Sequence, residues 1–213
     1  MDEKDIKDRI LAGAWELFMR YGIRSVSMDD VARHLSVSKK TLYHYFADKD
    51  EIVTMVSTYH IAANHKQYEE LRSKAKNAID EMVLISACLK QDFKKMNPSL
   101  LFDLHKFHPT AWNAWLSHKQ NDIRQSIIRN LTQGIEEGLY RAEINKDILA
   151  AVRLEQIELS FNESVFPSSK YNLAEVGLQM FEHFLYGIVT DKGRKMYEKY
   201  KTQTNHELIP QSI

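Results

Sequence analysis

The chain has 213 residues, 44% hydrophobic and 27% charged, ordinary globular values that exclude a disordered or fibrous class. Its formal net charge is zero, which argues against a protein that coats nucleic acid indiscriminately but leaves room for a local basic patch. A single cysteine, Cys88, excludes an internal disulfide and any cysteine-based zinc cluster, and seven Gly with four Pro write too few turns for a β-sandwich.

Met1–Asp5 is charged and lacks the apolar core of a signal peptide, and the apolar run Met82–Leu89 is far shorter than the roughly 20 residues of a membrane span. The expectation is a cytoplasmic protein with no membrane contact. Ile6, Ile10, Ala14, Leu17, Phe18 and Tyr21 recur at helical steps, and Gly22 follows where a left-handed cap would end the helix. Ser27 with Asp30 resembles a capping box that opens a short helix with Val31, Ala32 and Leu35 inside. Ser36-Val37-Ser38 breaks it, and Ser38 can cap a third helix through Phe46. Asp48 to Glu51 is a second capping box, starting a long helix into the low seventies.

The remainder reads as more helix: 75–95, then Asn97-Pro98 as cap and first helical residue, then a long helix from Pro109 to near Gly138. Leu139–Lys146 is a loop, followed by helices near 147–163, 172–190 and 191–201 and a polar tail from Thr202. Cys88, among Ile85, Ala87 and Leu89, reads as a buried small hydrophobe. The fold class is all-α: an N-terminal three-helix helix-turn-helix domain over residues 1–50 and a C-terminal helical bundle over 51–213.

The chemistry concentrates in residues 27–46. Two short helices joined by a three-residue break suit a helix-turn-helix. The third helix displays Lys39, Lys40, Thr41, Tyr43, His44 and Tyr45. Between Arg33 and Asp50, four basic side chains against two carboxylates leave a charge of +2. A phosphate backbone rewards such a patch through counterion release. Periodicity alone equally allows a solvated surface helix of a generic bundle.

Residues 5–53 resemble the DNA-binding domain of the TetR/AcrR family of transcriptional regulators. Leu17-Phe18 and Gly22, Ser27, Val31-Ala32 and above all Val37 through Phe46 carry the likeness, with Lys49 and Ile52 after them. The resemblance implies a sequence-specific repressor that binds a palindromic double-stranded operator as a homodimer and is released by a small-molecule effector. It implies phosphate contacts from Ser27, Tyr43 and Lys49, base or phosphate contacts from Lys39, Lys40 and Thr41, and a groove-edge place for His44 and Tyr45. Two positions depart from the pattern. Ser36 stands where a turn glycine is usual, at about 1 kcal/mol of left-handed strain. Lys40 stands where Gly is frequent.

In the bundle, the helix near 172–190 is apolar on more than one face, which suits a dimer interface or a central core helix. Phe102, His105, Trp112 and Trp115, with Glu155, Glu158 and Phe161 across from them, suit either an effector pocket or plain core. If a pocket, its acidic residues favour a cationic or hydrogen-bonding ligand. His105 and His108 lack a completing ligand for metal, no Glu-x-x-His pair suits a di-iron bundle, and no glycine-rich phosphate loop or nucleophile elbow occurs. The reading therefore includes no cofactor, no metal and no enzyme activity. The alternative within the same class is a TetR-like DNA-binding protein without an inducer.

Overall fold

The computed structural model describes residues 3–207, with side chains described from residue 4 to residue 203. The chain runs through α1 (Glu3–Tyr21), α2 (Met28–His34), α3 (Lys39–Tyr45), α4 (Lys49–Lys74), α5 (Ala78–Lys95) and α6 (Leu100–Phe107). It continues through α7 (Pro109–His118), a π-helical turn (Lys119–Ile123), α8 (Arg124–Glu136), α9 (Lys146–Leu159), α10 (Leu173–Ile188) and α11 (Asp191–Glu207). Among the described residues the only β pairing is an isolated antiparallel bridge between Tyr140 and Val189.

Short polar side chains set where the helices start. Ser27, Ser38, Asp48, Asn77, Asn145 and Asn172 each accept hydrogen bonds from amides of the first turn they precede. Each satisfies a donor that the helix itself cannot, worth about 1 kcal/mol. The Ser27–Asp30 capping box forms in full. In the second box Glu51 reaches one residue further back than expected and accepts from the Ala47 amide at 2.7 Å. Asn97 does not cap α6: its Oδ1 accepts from the Ser99 amide in a tight turn, so Pro98 lies before the helix and not in it. The helix from Pro109 is continuous to Glu136, with one widened π turn in the middle. α11 extends past Thr202 to Glu207; the rest of the expected polar tail lies outside the described residues.

Ser36 takes φ 55°, so the turn between α2 and α3 keeps its left-handed geometry without a glycine. Arg9 on α1 donates to the Leu35 carbonyl at 2.8 Å and ties that turn down.

Two apolar clusters form. The first joins Ile10, Phe18, Val31, Leu42, Phe46 and Ile52 of the N-terminal helices to Leu100, Leu104 and Ala111 of α6 and α7. The head therefore shares its core with the body, and the expected boundary at residue 50 falls within a packed cluster. Polar contacts reinforce the junction: the Arg24 amide donates to Asp103 at 3.1 Å, and Asp50 pairs with His108 at 2.7 Å. The second cluster gathers Ile79, Leu131, Tyr140, Phe181, Leu185 and Ile188 around α5, α8 and α10. At its heart Tyr140 shares its hydroxyl between Asn130 Oδ1 and the Ala78 carbonyl, while Asn130 donates to Ala78 O and Glu81. Burial and the nearby carboxylates of Glu81 and Glu137 hold that phenol well above its usual pKa, so it stays a donor.

Candidate nucleic-acid interface and interior cavity

α3 buries Leu42 and turns the opposite face outward. Lys39, Lys40, Tyr43 and His44 are exposed, while Thr41 and Tyr45 are half-buried. Thr41 is fixed twice by Ser38, through its amide at 2.9 Å and its hydroxyl at 2.7 Å. His44 and Tyr45 pack edge to face. Lys39 pairs with Asp29 at 2.7 Å, but both side chains are more than half exposed, so the pair is weak and an incoming phosphate can replace it. Ser27 stands exposed at the start of α2, its hydroxyl on Asp30 at 2.6 Å.

Lys49 differs from expectation. Its ammonium donates to the Ile23 carbonyl at 2.6 Å, half-buried at the junction of α1 and α4. Burial lowers its pKa, opposed by the carboxylates of Asp103 and Asp30. A lysine so engaged closes the end of the α1–α2 loop instead of projecting toward a ligand.

The body encloses a cavity of about 260 Å³ walled by α4, α5, α7, α8, α9 and α10. Trp115 and Phe161 line it, as expected; Phe102, His105, Trp112, Glu155 and Glu158 do not. Phe102 is 51% exposed and packs on Phe107. His105 lies against Trp112, which packs on the cluster shared by head and body. Glu155 and Glu158 both turn to the ammonium of Lys119, at 3.0 and 2.9 Å, on the π turn. That buried lysine engages the two acids from which a cationic or hydrogen-bonding ligand was expected, away from the cavity lining.

The sequence reading missed most of the wall. Met82, Ile85, Leu89 and Phe93 of α5 line the cavity together with Phe181 and Phe184 of α10. Their helical spacing was visible, but core and cavity wall have the same spacing. Arg153 was missed as well, although a lone cation in the apolar stretch from Ile148 to Leu154 was a usable signal. Trp15 of α1 also reaches the wall and stacks on His60 of α4, ring centroids 3.7 Å apart. Burial lowers the His60 pKa and keeps that ring neutral near pH 7.

His65, His118 and Asp122 bring ligand atoms within 4.8 Å of one another at the cavity wall, residue types that could hold a cation. His118 bonds Asp122 at 2.7 Å across the π turn. Cys88 is only half-buried, between Gln67 at 3.0 Å and Asp92 at 3.6 Å, and not simply in apolar core. Burial and the Asp92 charge push its pKa up to about 11, so the thiol is unreactive. No helix among the described residues is long and apolar enough to cross a membrane.

Comparison with known proteins bears on both regions. A family profile described as "Bacterial regulatory proteins, tetR family" matches residues 10–56, the head and the start of α4. The helix-turn-helix-type transcriptional regulator YvaF of Bacillus subtilis (strain 168) is 30% identical over 151 residues, covering 65% of this chain and 78% of that protein. The helix-turn-helix-type transcriptional repressor KstR2 of Mycobacterium tuberculosis (strain ATCC 25618 / H37Rv) is 18% identical over 146 residues, covering 67% of this chain and 73% of the repressor. A transcriptional regulator from Saccharomonospora viridis, solved in complex with choline, superposes with a TM-score of 0.73 at 17% identity, over 88% of this chain and 100% of that one.

Proposed function

Because this chain belongs to the TetR family of bacterial transcriptional regulators, and is thus a DNA-binding regulator and not an enzyme, we propose that it is a homodimeric repressor released from a palindromic operator by a small molecule. It would work in the cytoplasm, where its DNA is. α3 enters the major groove. Lys39, Lys40 and Thr41 reach base edges or phosphates, Ser27 and Tyr43 hold phosphate, and His44 and Tyr45 sit at the groove edge. Lys49 acts indirectly, by fixing the loop before α2. The KstR2 relative supports the repressor role, and the choline complex supports a small-molecule ligand for a protein of this fold.

The observation that carries the proposal is the cavity, because the same helix serves both ends. α4 begins in the head at Lys49 and forms the cavity wall through Ser57, His60, His65 and Tyr68. Trp15, stacked on His60, carries the contact into α1. A ligand that prefers one tilt of α4 changes the separation of the two heads, and only such a difference in affinity can shift the equilibrium. The cavity also argues against the inducer-free alternative, which suits a solidly packed body.

The dimer surface we assign is the outer side of α9 and α10. α10 turns its apolar faces into its own chain and shows Glu175, Gln179 and His183 outside. α9 instead leaves Ile148, Val152 and Leu159 exposed on one face, interrupted by Glu155, which is drawn to Lys119; this largely apolar face suits a second copy. On α10, nothing among the described residues lies within 4 Å of where a side chain at Gly187 would be.

The test starts with an operator selected from a random duplex pool. Compounds from a metabolite library that raise the protein's thermal midpoint are then added to the complex. Release, as an operator affinity lower by roughly 5–150-fold, is expected for ligands of the cavity. Compounds that stabilise the protein but leave operator affinity unchanged would return the weight to the inducer-free alternative.

A further inference from the structure

Every carboxylate on the cavity wall has a partner. Glu69 pairs with Arg72, and Glu81 with Arg129 and Asn130. Asp122 pairs with His118, and Asp92 accepts from Cys88. Arg153 is the exception among the wall's charges. It is 7% exposed, on the inner face of α9, and no hydrogen bond or ion pair to it occurs among the described residues. Its guanidinium lies over the rings of Phe181 and Phe184, 5.1 and 5.9 Å from their centroids.

A buried charge without a counter-charge is expensive in any fold. The cation–π contacts offset part of the cost, and stacking leaves the edge of the planar group, where its N–H donors lie, available. Burial alone brings the Arg153 pKa down to about 10, with no neighbouring carboxylate to oppose it, and the group remains charged near neutral pH. Most of the remaining wall surface is apolar, with Met82, Ile85, Leu89 and Phe93 contributing to it. Trp115 adds an indole N–H that is buried with no acceptor among the described residues. A largely apolar pocket whose carboxylates are all partnered, with one uncompensated guanidinium and one unused donor, matches a particular ligand chemistry.

Resting on the reading that the cavity holds an effector, we propose that Arg153 is the anchor for the anionic head of an amphipathic effector: an apolar body ending in an oxyanion such as a carboxylate. The guanidinium takes the head in a bidentate, charge-assisted pair, and the apolar body lies along the cavity wall formed by α5 and α10. Choline, a cation, is excluded by the same charge.

Two dyes with the same ring system, anilinonaphthalene sulfonate and the uncharged N-phenylnaphthylamine, separate the head from the body. Both are titrated by fluorescence into the full-length protein and into Arg153→Met and Arg153→Lys. The anionic dye is expected to bind the wild type once per protomer and to weaken on the order of tenfold or more in Arg153→Met, with partial recovery in Arg153→Lys. The neutral dye should bind all three alike. The thermal midpoint of unliganded Arg153→Met should rise, because an uncompensated buried charge is gone. A fall in that midpoint with both dyes weakened together would make Arg153 a structural residue and overturn the proposal. So would binding of choline in preference to the anionic dye. If neither dye enters the wild-type protein, the effector cavity itself fails, and the anion site with it.

Discussion

Lys40 and Lys49 are both lysines of the helix-turn-helix region, yet their surroundings assign them different tasks. Lys40 is exposed on α3, whereas Lys49 donates to Ile23 O from a half-buried position. Lys40→Ala is therefore expected to lower the salt dependence of operator binding by about 0.9 in log–log slope for each phosphate contact removed. Lys49→Ala should leave that slope unchanged while lowering the urea midpoint, because the Ile23 carbonyl loses its donor. Anisotropy titrations over a salt series, with a urea melt of each variant, distinguish the two; a slope change for Lys49→Ala would restore its phosphate role. Asp92 gives a pH prediction. Burial raises its pKa in the fold, with hydrogen bonds from Cys88 and Tyr68 opposing in part. A raised value means that the fold favours the protonated acid, so its contribution is present below the unfolded pKa and is lost as pH rises through the folded one. Asp92→Asn should thus raise the thermal midpoint at about pH 8 and lose that advantage near about pH 3.5, where the wild-type acid is also neutral. Equal effects at both ends would show that the change acts through packing.

At the scale of elements, helix ends follow local chemistry and helix contacts follow shape. Gly134 lies inside α8, where Ala would ordinarily gain up to about 1 kcal/mol in helix propensity. Here a Cβ would meet the ring of Tyr140 at 2.1 Å, and Tyr140 cannot retreat without releasing Asn130 and the Ala78 carbonyl. Gly134→Ala is therefore expected to destabilise the protein by about 1–3 kcal/mol in urea unfolding, overpacking outweighing propensity. A stabilised variant would show that the knot between α5 and α8 is loose. The π turn belongs to this scale too. It adds a residue where Lys119 turns inward to Glu155 and Glu158 and where His118 meets Asp122, in keeping with the placing of such turns at functional sites.

For the whole molecule, α4 runs out of the head into the cavity wall, and the head's core extends into α6 and α7. Reading head and body therefore move as coupled parts and not as beads on a linker. The proposed dimer adds a second constraint, because two heads read a palindrome only at a fixed separation. Val152→Glu, in the middle of the exposed stripe of α9, is expected to give monomers in sedimentation at micromolar concentration. With dimerisation lost, whole operators should bind no more tightly than half-sites. A variant that stays dimeric would move the interface to another face.

The sequence by itself determined the helical class, the helix starts and the reading head. Each of these depends on signals a few residues apart: Ser27 on Asp30, Ser38 on Thr41, Leu42 and Phe46 on one side of a helix whose other side is Lys40, Tyr43 and His44. The left-handed turn was legible at Ser36 for the same reason. The tertiary structure alone decided the cavity and its lining. Phe102, His105 and Trp112 had the composition of a pocket, but α6 turns Phe102 outward and Trp112 packs on the cluster that joins head and body. Glu155 and Glu158 read as free acids until Lys119 approached them from a different helix. Conversely, nothing within a few residues of Arg153 tells whether a carboxylate waits across the bundle. Local spacing fixes which way a side chain leaves its helix, but the partner it meets there is set by packing between segments far apart in the chain.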